Sequence, residues 1–166
     1  MVLKSYAKIN LSLSVNKKFE SGLHNIQSFY CLVNLHDNIF VKKIKNKKFD
    51  KISFIGPFSK DINQSNNSVK KVLDVMRKNK LIFDYYEIRV YKKIPVFSGF
   101  GGGTSNAAFL LKYLTKRKIK KKLFDKIVNR VGSDLRLFFN NQGYQNNLKS
   151  VTKFKKKHSF YFLLVF

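Results

Sequence analysis

The sequence predicts an α+β domain in which a strand-rich N-terminal half packs against helices from the second half. Three observations carry this prediction. The first third alternates polar and apolar residues with period 2, the segments after residue 67 place apolar residues at helical spacing, and 44% hydrophobic with 15% aromatic content supports a folded core. At 166 residues the chain fits one domain and is too short for two full ones.

Residues 4–15 alternate, with Ile9, Leu11, Leu13 and Val15 on the face expected to be buried, so a strand begins the fold. Strands are expected again at 26–35, 38–44 and 51–55, separated by turn chemistry at Glu20-Ser21-Gly22 and His36-Asp37-Asn38. Residues 68–78 put Val69, Val72, Leu73 and Met76 on one helical face, with Asn66 or Asn67 as N-cap. A strand at 85–91 leads through Ile94-Pro95 into a glycine cluster, followed by a helix at 104–114. A further helix at 123–131 is one that Gly132 can end, and 159–166 reads as a last, buried strand. Residues beyond Asn140 and before that strand show no clear period, and no internal repeat or linker is visible.

The formal charge of +25, from 34 Lys plus Arg against 9 Asp plus Glu, is of the kind that attracts nucleic acid or an anionic membrane. Here the excess lies in lysine runs at 41–48, 115–122 and 153–157 among abundant Ile, Asn and Phe, and solvated faces account for them more economically. No RNA-binding motif is readable, so no specific nucleic acid is expected, while long-range attraction of anionic substrates fits either view. The single cysteine, Cys31, excludes an intramolecular disulfide and sits in an apolar stretch as a small buried thiol. Residues 1–10 lack the apolar run of a signal peptide, and 159–166 is far shorter than the ~20 residues a membrane helix needs. The expected location is the cytoplasm, with no membrane partner.

The segment Ile94-Pro95-Val96-Phe97-Ser98-Gly99-Phe100-Gly101-Gly102-Gly103-Thr104-Ser105-Asn106-Ala107-Ala108 is a glycine loop running straight into a helix. Glycines let backbone N–H groups turn toward one point, and the helix adds its unpaired N–H groups and positive dipole end. Thr104 or Ser105 could then bind a phosphate oxygen or its Mg²⁺. The loop lacks the Gly-Lys-Ser/Thr ending of a Walker A sequence and the spacing of a Rossmann fingerprint. Taken alone, it fits either a phosphate site or a simple tight connection.

The loop resembles the second motif of the GHMP kinases, in the form found in the diphosphocytidyl-methylerythritol kinases, except that Phe97 and Ser98 stand where glycines are usual. The resemblance implies ATP contacts from Pro95, Val96, Phe97, Ser98, Gly99, Phe100, Gly101, Gly102, Gly103, Thr104 and Ser105. Ser5-Tyr6-Ala7-Lys8-Ile9-Asn10-Leu11 resembles the opening motif of that family, which implies a catalytic Lys8 and a substrate-binding Asn10; the plain alternative for Lys8 is an exposed strand lysine. Gly22-Leu23-His24 resembles the family's Gly-Tyr-His, so His24 carries over as a substrate contact, with Leu23 in place of the stacking tyrosine. Tyr30 matches an aromatic pocket position, or else is a buried core tyrosine. Gly132-Ser133-Asp134 resembles the family's Gly-Ala-Asp, implying Asp134 as general base, with a helix N-cap as the alternative; Arg136 departs from the pattern. Asn66 matches, more loosely, an asparagine near the adenine.

The resemblance therefore implies the GHMP kinase N-terminal domain fold, shared with a domain of a ribosomal protein. Residues 1–157 would form the ATP-binding domain and 158–166 the first strand of a C-terminal domain that is missing. The implied cofactors are ATP and Mg²⁺, the latter through Thr104 and Ser105, and the implied substrate is a cytidine-diphosphate-linked methylerythritol phosphorylated on a hydroxyl in isoprenoid precursor synthesis. An apolar, unpaired terminal strand would invite self-association or a separate C-terminal half. The competing reading is a noncatalytic truncated domain or a basic RNA- or protein-binding module.

Overall fold

The computed structural model describes residues 1–166 apart from residues 19, 21, 23, 47, 117, 157 and 166 and the side chain of residue 17. The turn expected at 20–22 and the substitution at Leu23 thus fall on or beside positions outside the described residues. The elements run β1 (Val2–Asn10), β2 (Ser14–Lys18), β3 (His24–Ile44), β4 (Lys51–Ile55), α1 (Ser68–Lys78), β5 (Tyr85–Tyr91), α2 (Gly102–Leu114) and α3 (Lys121–Val131). A 3₁₀ helix (Ser133–Phe139), β6 (Gln142–Gln145) and β7 (Val151–Lys153) complete them. The helical and strand periods predict α1, β4 and β5 at their observed bounds, and Asn67 caps α1 by accepting from the Lys70 backbone N–H at 2.9 Å.

β3 is the spine of the sheet. Its first residues pair with β2, β1 runs along one edge, and β6 and then β5 occupy the other. β4 joins β5 in parallel, the arrangement that requires the intervening α1 as crossover.

Two expectations about this region are corrected. His36-Asp37-Asn38 is not a turn, because β3 continues through it. Asn34 and Leu35 instead bulge out of the ladder, since Tyr6 faces His36 while the adjacent Ala7 faces Val33. The first strand also breaks after Asn10, and its buried face carries Ser5 and Ala7, with Leu11, Leu13 and Val15 exposed. The reason is α2, which lies on the Ser5–Ala7 face and can approach closely because the side chains there are small.

α1 and α2 cover one side of the sheet, and α3 packs on α1. Val72, Leu73 and Met76 of α1, Leu110 and Leu111 of α2, Ile39, Ile88 and Val90 of the sheet and Ile127 of α3 form one continuous fully buried core. Cys31 is buried as expected, which pushes its thiol pKa up. Lysines of the three charged runs, among them Lys42, Lys43, Lys121, Lys155 and Lys156, are exposed. The strand expected at 159–166 does not form among the described residues: this segment makes no ladder, and Tyr161, Leu163 and Val165 are largely exposed. No helix among the described residues is long and apolar enough to cross a membrane.

Candidate active site

The glycine loop joins β5 to α2 and frames a cleft of about 470 Å³, a size suited to a nucleotide. Pro95, Val96, Phe97, Ser98, Gly99, Gly101, Gly102, Gly103 and Thr104 line one side, and Phe54, Asp61, Asn63 and Asn66 the other, with Asp134 at the edge. The loop shape depends on left-handed backbone at Phe97 (φ 60°), Gly99 (φ 78°) and Gly101 (φ 69°). At Gly101 a side chain is excluded twice, since a Cβ would also stand 2.9 Å from Phe138 Cζ. Gly101 is the N-cap of α2, no side chain caps that helix, and its first turn carries no acid. The N–H groups of the first turn therefore lack helical acceptors and carry the positive end of the helix dipole into the cleft.

Lys8, on β1, does not itself line the cleft but meets Asp134 at its edge, and the Lys8 N–H donates to the Phe100 carbonyl at 3.0 Å, which pins β1 to the loop. The lysine is 5% exposed, so the reading of Lys8 as an exposed strand lysine is ruled out. Its ammonium donates to Asn10 Oδ1 at 3.0 Å and lies 3.4 Å from Asp134 Oδ2. Asp134 sits in the first turn of the 3₁₀ helix, after Gly132 at φ 144°, and makes no capping bond; its carboxylate is 38% exposed. A cation and an accessible carboxylate thus meet beside the N-terminal end of α2.

Other expected site residues lie elsewhere. Ser105 does not line the cleft: its hydroxyl is buried, donating to the Tyr6 carbonyl at 2.6 Å beside Ser5 Oγ at 2.8 Å, so of the two expected hydroxyls only Thr104 lines the cleft. Phe100 contributes its carbonyl to Lys8 and does not line the cleft either. Tyr30 is fully buried in the sheet opposite Asn10 and Gly143, which is the core alternative; Asn140 is its polar neighbour at a geometry short of a full hydrogen bond, and burial pushes the phenol up to about 12. His24 is exposed at the start of β3, opposite Lys18, about 20 Å along the strand from Tyr30. Asn66 lines the cleft in a loop organised by Asn63, whose Oδ1 accepts from the Asn66 backbone N–H at 2.8 Å.

Sequence reasoning missed the group behind the loop. Asp37 is fully buried and faces Ser5 across the strands, so both side chains point toward the start of α2. Its Oδ1 accepts from the backbone N–H groups of Lys93 and Ile94 at 2.7 and 2.9 Å. Its Oδ2 accepts from Asn106 Nδ2 at 2.9 Å and from the Lys92 ammonium. Lys92 also donates to Asn106 Oδ1 at 3.3 Å, and burial is the main cause that lowers its pKa. An acid inside an apolar strand, in a chain with only 9 acidic residues, was the available signal.

This sheet, the glycine loop at a helix N-terminus and the lysine–carboxylate pair belong to one α+β domain. Residues 67–143, from the cap of α1 into β6, match the family described as GHMP kinases N terminal domain, and the chain carries that domain. Within the family it is similar to 4-diphosphocytidyl-2-C-methyl-D-erythritol kinases: 41% identical to that of Pelagibacter ubique, over 98% of this chain and 58% of the relative. It is 35% identical to that of Ureaplasma parvum, over 87% of this chain and 54% of the relative. A solved structure of a 4-(cytidine 5'-diphospho)-2C-methyl-D-erythritol kinase shares the fold, with a TM-score of 0.65 at 21% identity, over 93% of this chain and 55% of that one. The chain spans about half the length of the relatives it matches.

Proposed function

We propose that the chain binds Mg·ATP in the cleft under the glycine loop and serves phosphoryl transfer to a hydroxyl of 4-diphosphocytidyl-2-C-methyl-D-erythritol. The single observation that carries this reading is the Lys8–Asp134 pair, 3.4 Å apart, beside an uncapped helix N-terminus. ATP, when bound, supplies the transferable phosphoryl group, and Mg²⁺ neutralises charge on its phosphates.

The residues present fit that ligand. Backbone N–H groups at 102–104 can receive phosphate oxygens, and Thr104 offers a hydroxyl for the ion. Asp134, accessible at the edge, orients the acceptor hydroxyl and takes its proton. Lys8, held by Asn10, keeps a positive charge where negative charge develops on the reacting oxygens, without needing to reorganise. Asn66 and Asn63 would face the base of the nucleotide and Asn10 the substrate side. Association with a second copy, or with a polypeptide supplying the remaining half of such kinases, belongs to the same reading; the exposed Tyr161, Leu163 and Val165 support it.

Calorimetry on the purified chain tests the proposal. Binding of Mg·ATP is expected, and Asp134→Asn should lower turnover of the cytidyl substrate by about 10²–10⁴-fold while nucleotide affinity stays unchanged. No binding at millimolar Mg·ATP would sink the kinase reading. Strong, salt-dependent RNA binding that ignores Lys8 and Asp134 would favour the basic binding module instead.

A further inference from the structure

We propose that Asp37, Lys92 and Asn106 form a positioning cluster that holds the glycine loop in its anion-binding shape, so that phosphate affinity depends on three residues behind the loop. The proposal rests on the reading of the cleft as a phosphate site.

Within the loop itself the restraint is slight. Ser98 Oγ donates to the Pro95 carbonyl at 2.8 Å, and three residues hold left-handed backbone. Its middle is tied to β1 by the Lys8 N–H on the Phe100 carbonyl, and its two ends meet at one carboxylate. Asp37 Oδ1 takes the N–H groups of Lys93 and Ile94, just before the loop, and Oδ2 takes Asn106, just after it. Lys92 closes the arrangement by donating to both Asp37 and Asn106. Its ammonium lines the floor of the cleft and lies 3.1 Å from the point where a Cβ on Gly102 would stand, directly under the first turn of α2.

Asp37, Lys92 and Asn106 are all at most 1% exposed. The Asn106 amide also donates to Ser5 Oγ at 3.0 Å, so β1, β3, the end of β5 and α2 converge on one buried hydrogen-bonded network. A buried ion pair is a poor route to net stability compared with apolar packing, but it tolerates only one geometry. That property suits a device that must keep several N–H groups aimed at one point.

The test uses the full chain with Asn106→Ala and Lys92→Met, and magnesium tripolyphosphate as the probe. Amide hydrogen exchange is followed at 95–104 and, as an internal reference, in α1 and α3. The expected result is at least a tenfold rise in loop exchange with α1 and α3 unchanged, together with at least a tenfold loss of tripolyphosphate affinity. Unchanged loop exchange overturns the proposal, as does a rise in α1 and α3 equal to that in the loop, which would mark a general loss of stability. If Lys92→Met does not fold, Asn106→Ala, which leaves the ion pair in place, decides. A wild-type chain that binds no tripolyphosphate overturns the kinase reading, and loop exchange then decides the cluster on its own.

Discussion

Two lysine–carboxylate pairs flank the glycine loop and differ in almost every respect. Behind the loop, Lys92 and Asp37 are both buried, and the carboxylate accepts four hydrogen bonds. In front, Lys8 is buried but Asp134 is 38% exposed, and the two meet at 3.4 Å. The carboxylate of the first pair has no capacity left for a ligand. The second keeps a carboxylate with free lone pairs beside a cation that has little access to water. A saturated pair builds the scaffold, whereas an unsaturated one at a cleft edge can exchange partners with a substrate.

The comparison breaks most visibly in stability. Asp37→Ala leaves a buried ammonium without its counter-charge and should cost about 3–5 kcal/mol. Asp134→Ala should cost less than Asp37→Ala, because its carboxylate is partly exposed and Lys8 keeps Asn10 Oδ1 as a partner. Denaturant midpoints for the two variants check this, and equal losses would erase the distinction.

A smaller loss is expected from Gly101→Ala, about 1–3 kcal/mol, since φ of 69° disfavours a side chain and the Cβ would press on Phe138. Thermal unfolding would show it, with a loss of nucleotide binding alongside. An alanine tolerated without change would mean that the loop is not held in this shape.

The smallest effect concerns a residue outside both pairs. Tyr30→Phe should shift stability by less than about 1 kcal/mol at neutral pH, because the hydroxyl lacks a well-formed hydrogen bond. Tyr30 keeps its proton to about pH 12 in the fold, against 10.0 as its ordinary value. Its contribution therefore stands below pH 10 and is lost as pH rises toward 12. The phenylalanine variant should decline less over that window. A loss of several kcal/mol at neutral pH would show a polar role for the hydroxyl.

What was legible in the sequence was local. The helical face of α1, its Asn67 cap and the alternation in β4 and β5 are set by neighbours a few residues away, and the glycine loop and its helix are contiguous. Lys8 and Asp134 were found through resemblance rather than pattern, and the structure brings them together across more than a hundred residues. Asp37 was misread because His36-Asp37-Asn38 has turn chemistry, and only the bulge at Asn34–Leu35 reveals that the strand passes through. Lys92 was one lysine among many until Asp37, 55 residues away, selected it. The expected face of β1 is the one that α2 covers at Ser5 and Ala7, but its extent failed: the strand breaks after Asn10, and Leu11, Leu13 and Val15 lie beyond the helix that covers it.

β3 touches β1, β2, β5 and β6, and its last partner lies more than 110 residues downstream, at 142–145. During synthesis, one edge of this strand must wait for nearly the whole chain to emerge before its ladder is filled. Closure of so long a segment is slow, and the apolar ribbon from Phe29 to Val33 is where a nascent chain would be captured by a chaperone or by another copy of itself.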